Sequence, residues 1–312
     1  MSERAVVCED LRAGIGDLQG EGFRLDCIYP ADDPHTALLS RGGESVRLTS
    51  RHDAPAPGER LPTFAPEFIL TRAGESAGQG RAGMLYRDLI PGRLGGRYVA
   101  SRISIPGGGP VADWVHFHRI ALQLIFVRRG WVRVVYEDQG ESFVMHEGDL
   151  VLQPPRIRHR VLESSPGLEV IEITAPALHE TFADHALELP NGSNPARLFG
   201  GQRFLRQVAA DTVWRPSGGG GEAQETAVAD ATGGLAEVRI LRPGTGASIA
   251  LAPHEGELVF GFVLNGSSML HFPGGGGLGS GDAFVIPPRE PWRLSDLSPD
   301  FRLLHVTTAR LD

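Results

Sequence analysis

The chain has 312 residues, 41 of them Gly and 23 Pro, about a fifth of all positions against the roughly 12% of average usage. The glycines do not recur at every third place, and 41% of the residues are hydrophobic and fall in short periodic runs, so collagen-like and disordered readings both fail. Thirty basic residues against 38 acidic ones give a net charge of −8, which argues against a nucleic-acid surface, and because all thirty are Arg, Schiff-base and Walker A lysine chemistry is excluded.

Residues 1–50 are the least readable. MSERAVVCED lacks an apolar signal core, and no run in the chain approaches a membrane span, so a cytoplasmic protein is expected. Cys8 and Cys27 are too few for a disulfide framework and read as free thiols. The stretch GFRLDCIYPADDPHTALLSRGGESVRLTS predicts two strands and a loop, forming either a small extra sheet or an arm against a partner subunit. Residues 51–64 (RHDAPAPGERLPTF) and 190–200 (PNGSNPARLFG) read as linkers, and SGGGGE at 217–222 as a flexible loop. Helical periodicity is weak except around 177–188.

Beyond the first linker the chain repeats itself. LGGRYVASRISIPG (94–107) is matched by GGLAEVRILRPG (233–244), FVRRG ending at Gly130 by FVLNG ending at Gly266, GDLVLQPPR from Gly148 by GDAFVIPPR from Gly281, and LEVIEITA (168–175) by the run ending at Ala309. The pairs Pro106/Pro243, Gly130/Gly266 and Gly148/Gly281 lie 137, 136 and 133 positions apart. Constant order at nearly constant offset marks a duplicated domain. Within each copy, runs such as WVHFH, LQLIFV, WVRVVYE and LEVIEIT are short, rich in Val, Ile, Leu and aromatics, and divided by turn residues, the pattern of an all-β sandwich or barrel.

His116 and His118 are two residues apart on a predicted strand, so both imidazoles point to one face. Gln123 follows on the next strand, and His159 opens another after Pro154-Pro155. The series His116-x-His118-x4-Gln123-x6-Gly130, then Gly148-x5-Pro154-x4-His159, resembles the two cupin motifs, over roughly residues 65–180 and more faintly over 200–309. With the repeat, the resemblance implies a bicupin: two jelly-roll-like, double-stranded β-helix barrels behind a small N-terminal extension. The expected division is 1–60 for the extension, 61–190 for a metal-binding barrel and 191–312 for a degenerate one.

By the same resemblance His116, His118, Gln123 and His159 ligate one divalent ion, Fe, Mn, Ni or Zn. Cupins most often carry Glu where this chain has Gln123. A neutral ligand set leaves the cation's charge uncompensated, which favours an anionic substrate; the alternative is that the three histidines bind alone. In the second copy the matching positions are Ala252 and His254 (or Pro253 and Glu255), Val259 and Trp292, so metal is expected in the first barrel only. His254, Glu255 and Glu257 read as a solvated loop.

Glu172 shares a strand face with Leu168, Val170 and Thr174. If that face lines the barrel, Glu172 is a candidate general base; the opposite alternation leaves it on the rim. Arg158, Arg102 and Tyr98 are candidate substrate contacts, Arg for its fit to a carboxylate, with surface or core roles as the plain alternative. His146 and His179 read as surface. The chain has no HExxH, no GxSxG in strand-turn-helix context and no phosphate loop. The resemblance implies a small-molecule enzyme and a homodimer, with no nucleic-acid or membrane partner. Ring-cleaving bicupin dioxygenases of the gentisate type are the nearest pattern. The alternatives are a non-oxidative isomerase, lyase or hydrolase, as in a family with this Gln that acts on unsaturated uronates, and a non-catalytic binding protein.

Overall fold

The computed structural model describes residues 3–50, 61–75, 78–79, 83–217, 219–246 and 248–311. Residues 51–60 of the expected first linker, and Gly218 within the glycine tract, lie outside them. The chain is mostly β, and the four matched runs of the repeat form matched strands. In the first barrel one sheet runs Leu150–Leu152, Leu122–Arg129, Leu168–Ala175, Val99–Ile105; in the second, Ala283–Val285, Val259–Asn265, Arg302–Thr308, Ala236–Pro243 follow in the same order. Gly130 and Gly266 turn the corresponding hairpins at φ 80 and 74, a left-handed conformation that a side chain resists. A Cβ at either place would also meet a serine oxygen, Ser165 at 2.4 Å or Ser298 at 2.2 Å.

These two sheets pack against each other, and strand alternation divides their residues. Tyr98, Ala100, Leu122, Leu124, Phe126, Ile171 and Ile173 meet Ala236, Val238, Phe260, Phe262, Leu304 and Val306 in one apolar core between the barrels. The alternate set, Ile103, Val127, Leu168 and Val170 among it, turns into the first barrel. Arg97 and Glu257 cross the same interface as a buried bidentate pair, at 2.9 and 2.8 Å, and the Tyr98 hydroxyl donates to Glu257 at 3.1 Å. Glu257, expected on a solvated loop, is therefore a buried anion held by the other barrel.

The barrels also trade edge strands. Ile69–Thr71, which precedes the first barrel, pairs with Ala283–Val285 of the second. Leu205–Gln207, which precedes the second, pairs with Leu150–Leu152 of the first. The two arms are themselves repeat equivalents, 136 positions apart. Each is gripped by the aspartate of the other repeat's Gly-Asp turn: Asp282 accepts the Ala73 N–H and Asp149 the Ala209 N–H, both at 2.9 Å.

Residues 3–49 contain a helix that the sequence reading lacks. Asp10 caps Leu11–Gly20, its carboxylate accepting the Ala13 N–H at 3.0 Å. The helix buries Leu11 and Leu18 against Ala37, Leu39, Val46 and Leu48. The strand Arg24–Tyr29 then pairs with Thr181–Ala183, which pairs with His116–His118. The N-terminal module is thus an extension of the very sheet that carries the histidines. Residues 177–188, where helical periodicity was expected, supply the connecting strand Thr181–Ala183 instead. Among the described residues no helix is long and apolar enough to cross a membrane.

Deep in the second barrel the Phe284 ring fills the space beside Gly261. Gly261 lies directly under the Phe284 ring, and a Cβ there would sit 2.2 Å from it. Gly261→Ala is therefore expected to lower stability by about 1–3 kcal/mol through overpacking. A urea titration checks this, and an unchanged midpoint would mean the ring has room to move.

Candidate metal centre

His116–His118 is a three-residue strand bordered on one side by His159–Ser164. His116 stands directly across the ladder from His159, which places their side chains in contact on one face. The ring centroids are 4.2 Å apart for His116 and His159, 5.2 Å for His116 and His118, and 5.3 Å for His118 and His159. All three are buried, and their candidate ligand atoms lie within 4.8 Å of one another. Two nitrogens on one ion at about 2.1 Å each stand at most about 4.2 Å apart, so the triad is near the spacing of a single site.

Each ring is held from behind by a backbone carbonyl. His116 Nδ1 faces Trp114 O at 2.7 Å, His118 Nδ1 faces Glu180 O at 3.3 Å, and His159 Nδ1 faces Ile157 O at 3.1 Å. A carbonyl can only accept, so these contacts suit an Nδ1–H tautomer, with Nε2 as the ligating nitrogen; the Thr181 hydroxyl also reaches His118 Nδ1, at 3.3 Å. Asp113 stands behind the triad as well, its Oδ1 3.6 Å from His116 Nδ1 and its Oδ2 accepting the Val161 N–H. Three imidazoles held in this way are a donor set that suits a divalent first-row cation.

The triad lines a cavity of about 90 Å³, whose other walls are Met84, Tyr86, Ile103, Ile105, Ile125, Val132, Val134, Met145, Val161, Leu168 and Val170. Besides the Tyr86 phenol, four further polar groups reach it: Gln123, Tyr136, Gln153 and Glu172. Gln123 Oε1 accepts from Gln153 Nε2 at 2.8 Å, and Gln153 Oε1 accepts from the Tyr136 hydroxyl at 2.5 Å. Gln153 Nε2 also stands 3.5 Å from His159 Nε2. Burial, with the charge of Glu172, pushes the Tyr136 hydroxyl far above its ordinary range, so it stays a hydrogen-bond donor. Sequence reasoning missed Gln153 and Tyr136. The signal for Gln153 was in the repeat: LVLQPPR carries Gln where FVIPPR carries Ile286, a polar residue at a position the other copy gives to its core.

Glu172 turns into the cavity rather than onto the rim. Its strand runs between the barrel and the interface, Leu168, Val170 and Glu172 facing the cavity while Ile171 and Ile173 enter the core between barrels. The same alternation carries Arg102 away from the cavity, to stand 3.8 Å from Glu169. Tyr98 is buried at the interface, its hydroxyl on Thr308 and Glu257. Arg158 lies outside the barrel, 3.0 Å from Asp184 and over the Phe117 ring. None of these three candidate substrate contacts lines the cavity. His179 is not a surface residue; it is buried, its ring 5.3 Å from that of His118, and burial lowers its pKa.

In the second barrel, Val259 packs in the core, and the Trp292 ring stands 5.4 Å from Phe284. His254 Nε2 is taken up by Thr308 O at 2.7 Å.

No protein-family model matches the chain, and no curated protein matches it. Solved structures do. A variant of oxalate decarboxylase from B. subtilis is 13% identical, with a TM-score of 0.58 over 85% of this chain and 81% of that one. A glyoxylate-induced protein from Pseudomonas aeruginosa is 14% identical, with a TM-score of 0.57 over 82% and 93%. The protein Ylba from E. coli is 12% identical, with a TM-score of 0.54 over 80% and 94%. At such identities the likeness speaks for the fold. With the duplicated strand order, it shows a fold of two tandem barrels, the architecture that the cupin-like motifs led us to expect.

Proposed function

We propose that the first barrel holds one divalent metal ion on His116, His118 and His159 and uses it in dioxygenase chemistry on a small, weakly acidic organic compound, with Glu172 as the base. The observation that carries this reading is the convergence of three buried imidazoles, their candidate ligand atoms within 4.8 Å of one another, on a cavity whose wall carries a carboxylate. Such an ion supplies Lewis acidity and, as iron, a site for O2.

The protein's own groups define the rest. Among the described residues the lining has ten apolar side chains, the Tyr86 and Tyr136 phenols, one carboxylate and no arginine. A substrate that arrives as a free carboxylate would meet Glu172 with no arginine among the described lining residues to offset it, leaving the ion on the triad as its sole counter-charge there. A neutral enol or phenol would not. It can pass its hydroxyl proton to Glu172 and present the resulting oxyanion to the triad, which reconciles an anionic bound form with an apolar wall. The cavity limits it to at most about one small ring, since a cavity of about 150 Å³ holds benzene. Gln123 and Gln153, linked to each other and to Tyr136, position this edge of the site.

A second reading is non-oxidative isomerase, lyase or hydrolase chemistry on the same centre. It is favoured by the neutral amide of Gln123 where a carboxylate would strengthen metal binding. One experiment separates the two: elemental analysis of the purified protein, then O2 uptake with a panel of small enols, phenols and keto acids. Bound iron with substrate-dependent uptake supports the first reading. Stoichiometric zinc, nickel or manganese with no uptake supports the second.

Glu172→Gln is expected to lower kcat by roughly 10²–10⁴ while leaving metal content unchanged. Equal turnover in the variant would remove Glu172 from the mechanism.

A further inference from the structure

The second barrel's cavity has a chemistry of its own. It is about 480 Å³, with Glu237, Arg239, His254, Trp292, His305 and Thr307 in its wall, within the size range of small-molecule sites. Set against the first barrel by repeat register, it is lined by different polar groups. Trp292 stands at the position of His159 and Val259 at that of Gln123, while in the strand register His305, across from Gly261, replaces Glu172, across from Ile125. Among the described residues the first cavity holds a carboxylate and no arginine; this one holds a guanidinium beside its carboxylate.

We propose that the mouth of the second barrel is a metal-independent binding site for a small planar monocarboxylate. Arg239 lies directly across the strand ladder from His305. The His305 ring is 5.8 Å from that of Trp292 at an angle of 32°, so an indole and an imidazole form adjoining flat walls beside the guanidinium. Arg239 Nε is buried and has no hydrogen-bond partner among the described residues. The neighbouring carboxylate, Glu237 Oε1, is 3.9 Å away, beyond hydrogen-bond reach. A buried donor left unmatched is costly, and a ligand carboxylate satisfies it in the planar, forked geometry that suits a guanidinium.

His305 adds donor capacity without charge. Burial, then the charge of Arg239 and the nearby His254, push its pKa down to about 3, so it is a neutral imidazole at neutral pH. Glu237 at the mouth disfavours a second negative group on the ligand, which selects a monoanion. Below the mouth, Phe284, Leu303 and Val263 fill the barrel, so the ligand must be short and lie against Trp292.

The test uses benzoate as probe on the full-length protein, stripped of metal by chelator, with binding followed by calorimetry. Cyclohexanecarboxylate, benzyl alcohol and inorganic phosphate are the comparisons. Saturable 1:1 binding of benzoate is expected, at least about tenfold tighter than for each comparison compound. Arg239→Met is expected to weaken benzoate at least about tenfold, and so is Arg239→Lys, which keeps the charge and loses the fork and guards against a folding failure in the first variant. His159→Ala is expected to leave the affinity unchanged. No saturable binding up to about 10 mM, equal affinity for benzyl alcohol, or binding lost in His159→Ala but kept in Arg239→Lys would each overturn the proposal. The last result would place the probe in the first barrel instead.

Discussion

Replacing His159 with alanine is expected to lower bound metal from about one ion per chain to less than about a tenth at limiting metal, because a lost ligand weakens binding by more than the 10–100-fold typical of an outer-shell partner. His116→Ala and His118→Ala are expected to do the same, since the three rings form one group with all candidate ligand atoms within 4.8 Å. Asp113→Asn is the graded case. Its carboxylate stands 3.6 Å from His116 Nδ1 and touches no ion, so about a 10–100-fold loss of affinity is expected rather than abolition. His146→Ala, on an exposed strand end, serves as control. Elemental analysis after dialysis gives the readout, with a circular dichroism melt to show that the barrel is intact. A His159→Ala protein that keeps a full complement of metal would dismiss the triad as a site.

The second large effect is on stability. Glu257→Ala strips the Arg97 guanidinium of both its carboxylate bonds while leaving it buried. The carbonyls of Pro62 and Leu311 remain as acceptors, but they do not neutralise the charge. Breaking such a buried pair from one side costs about 3–5 kcal/mol, whereas replacing both partners with apolar side chains of similar volume is near neutral. Glu257→Ala is thus expected to shift the urea midpoint strongly, and Arg97→Met combined with Glu257→Met to recover most of the loss. The coupling follows from the full double-mutant cycle. A Glu257→Ala shift under about 1 kcal/mol would show that water reaches the pair.

The barrels and the triad were legible because they rest on periods. Matched Pro and Gly landmarks gave the duplication, and the two-residue strand period put His116 and His118 on one face. Glu172 was not legible, for a physical reason. Its strand has an apolar partner on both sides, Leu168 and Val170 towards one cavity and Ile171 and Ile173 towards the other barrel, so alternation cannot name the inward face. Arg102 and Tyr98, candidates for their place ahead of the histidine motif, take the surface or core alternative, for neither lines the cavity. The arms were hidden by brevity: Ile69–Thr71 and Leu205–Gln207 are three residues each, too short to stand out by composition. The N-terminal helix was obscured by Gly14, Gly16 and Gly20, which weaken its helix propensity; tertiary packing of Leu11 and Leu18 supplies what propensity lacks.

The traded arms impose an order in time. Thr71 pairs with Ala283 across more than two hundred intervening residues, so the second barrel's sheet cannot be completed until nearly the whole chain has left the ribosome. Leu205–Gln207, by contrast, reaches back only to Leu150–Leu152, and the sheet of the first barrel can close while the second is still being made. The half that carries the histidines is therefore the half able to mature early. During that interval Ile69–Thr71 remains an unpaired edge, and long-range pairing of this kind is slow and exposed to misassociation.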